Sequence, residues 1–415
     1  MNGSPFRALR HRNFTLFFAG QGLSLCGTWM QSLAQAWLVY RLTGSPFLLG
    51  LVEFVGRAPI LLSLAGGLLA DRWSRRRVII ATQVLSLLQA GTLAILTLNG
   101  QITIEWILGL SLFLGIVNAV DIPVRQSFVG NLVPRADLPS AIGLSSSAFN
   151  AARIIGPSLA GILVATIGEG PCFLVNALSY PIVIGCLLAM RFQKIARTAP
   201  ESAIGFLAEG LRYARHTPHV RALLALITLL SLAAVPHSTL LPVFAGEILK
   251  AGANGLGLLM AATGAGALAG AFQIARRSTV RGLGSYIAAA VILYGVGLLA
   301  LAFSTTLWIS LPALIAIGFG MITSLAGTNT LLQSLAPDNL RGRVMSLYAT
   351  VALGFATFGS LLAGLGATYL GAPLTVAVGG IITLLSAAIF WRALPGIRRH
   401  IRENRLLPPE EFATH

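Results

Sequence analysis

Long apolar runs separated by short polar breaks set the pattern of this chain. They fall near 14–40, 46–70, 78–98, 106–126, 141–166, 172–191, 221–246, 255–275, 285–303, 307–333, 344–370 and 373–394. A bilayer core needs roughly 20 apolar residues per helix, so each run predicts one crossing and the set predicts twelve. Membrane strands would leave short segments of alternating polarity, and these runs do not alternate. The expected fold class is an all-α membrane protein with twelve transmembrane helices in two six-helix halves.

The longest hydrophilic stretch divides the pattern. It predicts an N-terminal half over 1–191, a cytoplasmic linker over 192–220, a C-terminal half over 221–394 and a cytoplasmic tail over 395–415. In the linker, Ile204, Leu207, Leu211 and Ala214 share a helical face opposite Glu209, Arg212 and Arg215, as in a short helix lying on the membrane surface. Sliding the second half along the first at an offset of 203 residues aligns Gly67 with Gly270, Gly115 with Gly318, Pro134 with Pro337, Gly156 with Gly359 and Gly168 with Gly371. Ala160 and Gly161 meet Ala363 and Gly364 in the same ungapped register. Two parallel six-helix repeats around a central pathway are an architecture of membrane carriers.

Composition agrees with lipid as the solvent. Of 415 residues, 55% are hydrophobic and 10% charged, whereas soluble domains carry about a quarter charged residues. The net charge of +16 would suggest nucleic acid in a soluble protein. With a cytoplasmic N-terminus, however, 25 of the 29 Lys and Arg fall in cytoplasmic segments. That bias is the positive-inside signature and predicts that both termini face the cytoplasm. No nucleic-acid partner is expected. The first apolar run lacks a small-residue cleavage site and reads as a retained helix. Three cysteines in or beside apolar runs give no disulfide or metal framework. No cofactor is expected, and no G-x4-G-K-[ST] loop marks ATP as an energy source.

The local motifs then bring a family into view. Gly67-Leu-Leu-Ala-Asp71-Arg72-Trp-Ser-Arg75-Arg76-Arg77 resembles the loop 2–3 signature of the major facilitator superfamily, with Ser74 in place of its second glycine. Ala152-Arg-Ile-Ile-Gly156-Pro157-Ser-Leu-Ala160-Gly161 resembles the Gly-Pro motif of its proton-coupled exporters, with alanine at two glycine positions. Gly27-Thr-Trp-Met-Gln31, Trp37-Leu-Val-Tyr-Arg-Leu-Thr-Gly-Ser-Pro46, Asp121-Ile-Pro-Val-Arg125-Gln126 and Gly210-Leu-Arg-Tyr are similar to the branch called transmembrane secretion effectors, which includes enterobactin-exporter-like proteins. The resemblance covers nearly the whole chain. It implies a monomeric antiporter in a bacterial inner membrane, exporting a siderophore, drug or metabolite against protons by alternating access. An importer or lysophospholipid flippase on the same fold is the second reading. Gly67, Asp71, Arg72 and Arg75 would form the cytoplasmic gating motif, with Arg75 pairing Asp121 at the end of helix 4. Gly156, Pro157 and Gly161 would be the exporter motif.

Within the apolar runs, charge is scarce and therefore a candidate for function. Glu53 and Arg57 stand one turn apart, and Arg153 sits near the middle of helix 5. Glu53, or failing it Asp121, is the expected proton carrier; an ion pair that only locks helix 2 is the alternative. Gln21, Ser24, Thr28, Gln31 and Gln35 line one face of helix 1. Gly320, Thr323, Gly327, Thr330 and Ser334 make a similar line on helix 10, and Ser111, Gly115, Asn118 and Arg125 a looser one on helix 4. Such stripes face a water-filled pathway or act as polar glue between helices. The expected substrate contacts are Gln31, Gln35, Arg57, Asn118, Arg153, His237 and Thr323, with hydrogen-bonded packing the other reading for His237. Helix 4 lacks the mid-membrane arginine that many drug exporters use, so Arg57 or Arg153 takes that place in this reading. An intramembrane enzyme would need a nucleophile–base pair or a metal cluster. Histidines 11, 216, 219, 400 and 415 all lie outside the apolar runs, so no such cluster is expected.

Overall fold

The computed structural model describes residues 6–62, 74–190, 211–277, 279–337 and 340–403. Among the described residues it is helical throughout, with no strand. The helices are α1 (Arg12–Thr43), α2 (Pro46–Arg57), α3 (Arg75–Leu98), α4 (Ile104–Val129), α5 (Leu138–Ile167) and α6 (Gly170–Ala189). They continue as α7 (Pro218–Ile248), α8 (Gly252–Ala275), α9 (Leu283–Ala302), α10 (Leu307–Leu335), α11 (Arg341–Leu370) and α12 (Ala372–Glu403). Ten of these, α3 to α12, are long and apolar enough to cross a membrane. The polar stripe of α1 dilutes its apolarity. In α2 the regular helix gives way at Ala58 to a 3-10 turn through Leu62 containing Pro59, which cannot donate a helix hydrogen bond.

Local sequence explains the boundaries. Ser45 caps α2 by accepting a hydrogen bond from the Leu48 amide at 3.4 Å, with Pro46 in the first turn. Gly168 and Gly371 end α5 and α11 with φ of +86° and +81°, a conformation that disfavours side chains. They are 203 positions apart, in the register read from the sequence. α12 runs on past residue 394 to Glu403, although the sequence placed the tail from 395. Phe390, Leu394 and Ile397 are all buried, so the helical period continues across Pro395.

The chain forms two compact units: Met1–Pro200 with Pro242–Ala261, and Glu201–Leu241 with Ala262–His415. In the first, α1 packs on α5 and α6, α3 on α4 and α6, and α2 on α4. At one end, Arg7 and His11 hold Asp137 at 3.2 and 2.8 Å, tying the leading 3-10 turn to the segment before α5. At the other, Arg41 makes paired hydrogen bonds of 2.8 and 3.1 Å to the buried Glu169 carboxylate. Tyr40 also donates to Glu247 at 3.3 Å, and Gly257 packs on Gly161. In the second unit, α9 packs on α10 and α12, and α11 on α7 and α12.

The distribution of polarity is the reverse of that in a soluble protein. Gln31, Gln83, Gln89, Asp121 and Asn176 are each at most 4% exposed. Trp308, Leu178, Ile162 and many other large apolar side chains are exposed. In hydrocarbon this arrangement is favourable, because polar groups must find partners inside the protein.

Candidate transport site

Two linked polar clusters lie inside the first unit, and α3 supplies the link. Thr82, Gln83, Ser86 and Gln89 fall on one face of that helix, and all four are buried. At one end of this face Asp121 of α4 accepts hydrogen bonds from Thr82 Oγ1 at 2.5 Å and Gln83 Nε2 at 3.4 Å. Arg125, one turn on, pairs with the other carboxylate oxygen. Asp121 is 2% exposed, so these groups take the place of water around its carboxylate. At the other end, Gln31 of α1 donates to Gln89 at 3.1 Å, and Asn176 of α6 donates to Gln31 at 2.8 Å. Asn176 also lies 3.4 Å from the Tyr180 hydroxyl. Gln35 donates to Ser111 of α4 at 3.0 Å.

Several groups in these clusters still lack a partner. Gln83 Oε1, Gln89 Nε2, Asn176 Oδ1 and Arg125 Nε are buried without one. Sequence reasoning missed this α3 face. The same spacing search applied to residues 82–89 reveals it.

The other candidates are dispersed. Glu53 and Arg57 pair at 2.8 Å along α2, the side chains 27% and 48% exposed respectively. Asn118 is half-buried on α4, one turn before Asp121. Arg153 of α5 is half-buried, and its Nε and Nη2 are buried without a hydrogen-bond partner. It forms no ion pair with any described carboxylate. His237, 3% exposed, is bonded through Nδ1 to the Ala234 carbonyl at 2.7 Å and stands edge-on to Tyr294. Its Nε2 is buried and has no partner. Thr323 is fully buried, its Oγ1 2.8 Å from where a Cβ on Gly270 would sit, so it packs between α10 and α8. Gly320 and Gly327, on the same line, approach α9 at Ala290 and Ile287. That line on α10 is thus largely a helix-packing surface.

The gating motif is only partly visible: Gly67, Asp71 and Arg72 lie outside the described residues. Arg75 begins α3 and is exposed. Asp121 pairs with Arg125 on its own helix, and no Arg75–Asp121 ion pair is present among the described residues. The exporter motif makes close helix contacts. A Cβ on Gly156 would lie 2.7 Å from Trp29 Cβ and 2.9 Å from the Cys26 carbonyl oxygen. A Cβ on Gly161 would lie 3.0 Å from Gly257 Cα, and one on Gly257 would lie 2.8 Å from the Pro157 carbonyl oxygen.

Comparison with known proteins agrees with this architecture. The family model for transmembrane secretion effectors matches residues 3–412. The chain is 26% identical to the staphyloferrin A transporter of Staphylococcus aureus, over 90% of this chain and 94% of that protein. It is 27% identical to the multidrug efflux pump Tap of Mycolicibacterium fortuitum, over 88% and 92% respectively. A POT family transporter bound to 5-aminolevulinic acid superposes with a TM-score of 0.75 at 13% identity, covering 93% of this chain and 96% of that one. These relatives are transporters, not enzymes. With polar groups inside, apolar side chains outside, ten membrane-length helices and a match along almost its whole length, the chain belongs to the transmembrane secretion effectors of the major facilitator superfamily.

Proposed function

We propose that the protein is a secondary transporter that exports a small molecule carrying an acidic group, by alternating access and in exchange for protons. The observation that carries the substrate charge is Arg153, a guanidinium in a membrane helix with buried nitrogens and no counter-ion among the described residues. Leaving such a group uncompensated is costly, and an arriving carboxylate or catecholate supplies paired hydrogen bonds to its planar fork. The export direction is supported by the resemblance of Gly156-Pro157-Gly161 to the exporter motif and by the efflux pump among the relatives. A siderophore substrate is supported by likeness to the staphyloferrin A transporter.

In this reading twelve spans form two six-helix halves, and both termini face the cytoplasm of an inner-membrane monomer. A lone cysteine at Lys250 should then be labelled only from outside intact cells, and one at His400 only from the cytoplasm. Labelling of residue 400 from outside would reverse the orientation.

Proteoliposome efflux tests the substrate class. Acid-bearing or zwitterionic siderophores should be exported in preference to tetraphenylphosphonium or ethidium. Arg153→Ala should weaken the preferred class by about tenfold or more, since a hydrogen bond to a charged group contributes about 1.5–3 kcal/mol. Strong export of the cations, untouched by Arg153→Ala, would overturn the charge assignment. Proton exchange is assigned to Asp121, the more deeply buried carboxylate, with Glu53 in second place.

A further inference from the structure

Among the described residues each unit carries an apolar groove in its own helices, and these two grooves correspond in sequence. The groove in the first unit has a volume of about 480 Å³ and lies between α1, α5 and α6. The groove in the second has a volume of about 230 Å³ and lies between α7, α11 and α12, with Leu298 of α9. Shifted by 203 positions, Met30, Leu159, Leu163, Val175 and Ser179 of the first become Ala233, Leu362, Gly366, Val378 and Ile382 of the second. The same offset relates Gly156, seated on Cys26 to Met30, to Gly359, seated on Leu232 to Pro236. The correspondence therefore covers the grooves and the helix joints beside them.

Their chemistry restricts the occupant. No Asp, Glu, Lys or Arg lines either groove. The walls open outward through exposed apolar side chains: Leu178 is 60% and Ile162 58% exposed in the first, Leu370 55% and Leu362 52% in the second. All of these side chains lie on helices of membrane-crossing length. Polar side chains are few on these walls, Ser179 in the first groove and His237 and Thr375 in the second, so a predominantly apolar, uncharged wall open on the bilayer side gains chiefly by contact with hydrocarbon.

We propose that the two grooves are seats for acyl chains of bilayer phospholipids, one in each unit. Each chain would lie beside a close helix joint, α1–α5 in the first unit and α7–α11 in the second. Neither Arg153 nor Asp121 lines a seat, and His237 is the one expected substrate contact that does, on the wall of the second; the seats do not depend on the proposed coupling ion.

Native mass spectrometry of the purified full-length protein, stripped with mild detergent and re-supplied with one defined phospholipid, tests this. Long-chain phosphatidylethanolamine and phosphatidylglycerol should both be retained at two molecules per chain, and short-chain versions of either should not. Cys26→Phe, which fills the first groove, and Ala363→Phe, which fills the second, should each reduce retention to one, and the double variant to none. If those variants do not elute as monodisperse protein, Leu178→Trp and Leu362→Trp block the same grooves from their lipid-facing rims. Unchanged retention in a monodisperse double variant would overturn the proposal. So would retention that follows headgroup charge, which would point to the cytoplasmic arginines instead.

Discussion

Asp121→Asn is expected to abolish uptake or efflux driven by a pH gradient, and to destabilise the protein at the same time. The carboxylate is almost fully buried and holds Arg125, Thr82 and Gln83. An asparagine keeps one acceptor for Thr82 and Gln83 but turns away from Arg125 or presents an N–H to it. Either way the partly buried Arg125 guanidinium, its side chain 24% exposed, loses its counter-charge. Breaking a fully buried pair from one side costs about 3–5 kcal/mol, most of it the unpaired charge, and the partial exposure of Arg125 puts this pair toward or below the lower end of that range. The double variant Asp121→Asn/Arg125→Gln removes both charges and should recover most of the lost thermal stability.

Transport in that double variant separates structure from coupling. If Asp121 carries the proton, the stable double variant still exchanges or leaks substrate downhill but gains nothing from a pH gradient. Full gradient-driven transport would show that the pair only braces α4, and would move the proton to Glu53.

Gly156→Val is expected to have the second large effect, a loss of folded protein. The first added carbon would already meet Trp29 Cβ and the Cys26 carbonyl oxygen inside van der Waals distance. One of those atoms is backbone, so relief requires α1 and α5 to separate. Overpacking of this kind typically costs about 1–3 kcal/mol, and more where backbone must move. Here it would also disturb the Trp29–Phe149 edge contact, whose ring centroids are 5.8 Å apart. The check is the melting temperature of detergent-solubilised protein, with Gly143→Val on the same helix as control. Nothing lies within 4 Å of a Cβ at Gly143, so that variant should melt near the wild type. Equal melting of the two variants would mean that the α1–α5 contact tolerates a side chain.

The helices were legible because hydrocarbon imposes one rule on every span, a long apolar run, and that rule is written residue by residue. Register was legible too, since the aligned glycines Gly168 and Gly371 both end helices at positive φ. Side-chain partners were less so. Arg75 looked the natural mate for Asp121 because family resemblance favoured it, whereas Arg125 is one helical turn away and geometrically closer. The Gln31–Gln89–Asn176 cluster joins residues 58 and 145 positions apart, and a linear pattern cannot show which stripes meet. The α10 line was ambiguous for a related reason: small and hydroxylated residues serve close packing and hydration equally well. Arg41 finds its partner in Glu169, 128 positions away just before α6, another pairing that no linear pattern displays.

The reversed polarity of the molecule also bears on how it can be handled. Urea and guanidinium act by solvating newly exposed apolar and peptide surface, but here the apolar surface is already outermost and the backbone is sealed within helices. Aqueous chaotropes therefore have little to work on. The interior amides and the Asp121–Arg125 pair are vulnerable instead to amphiphiles small enough to slip between helices and charged enough to compete for those bonds. For this chain the choice of detergent is a choice of denaturant strength.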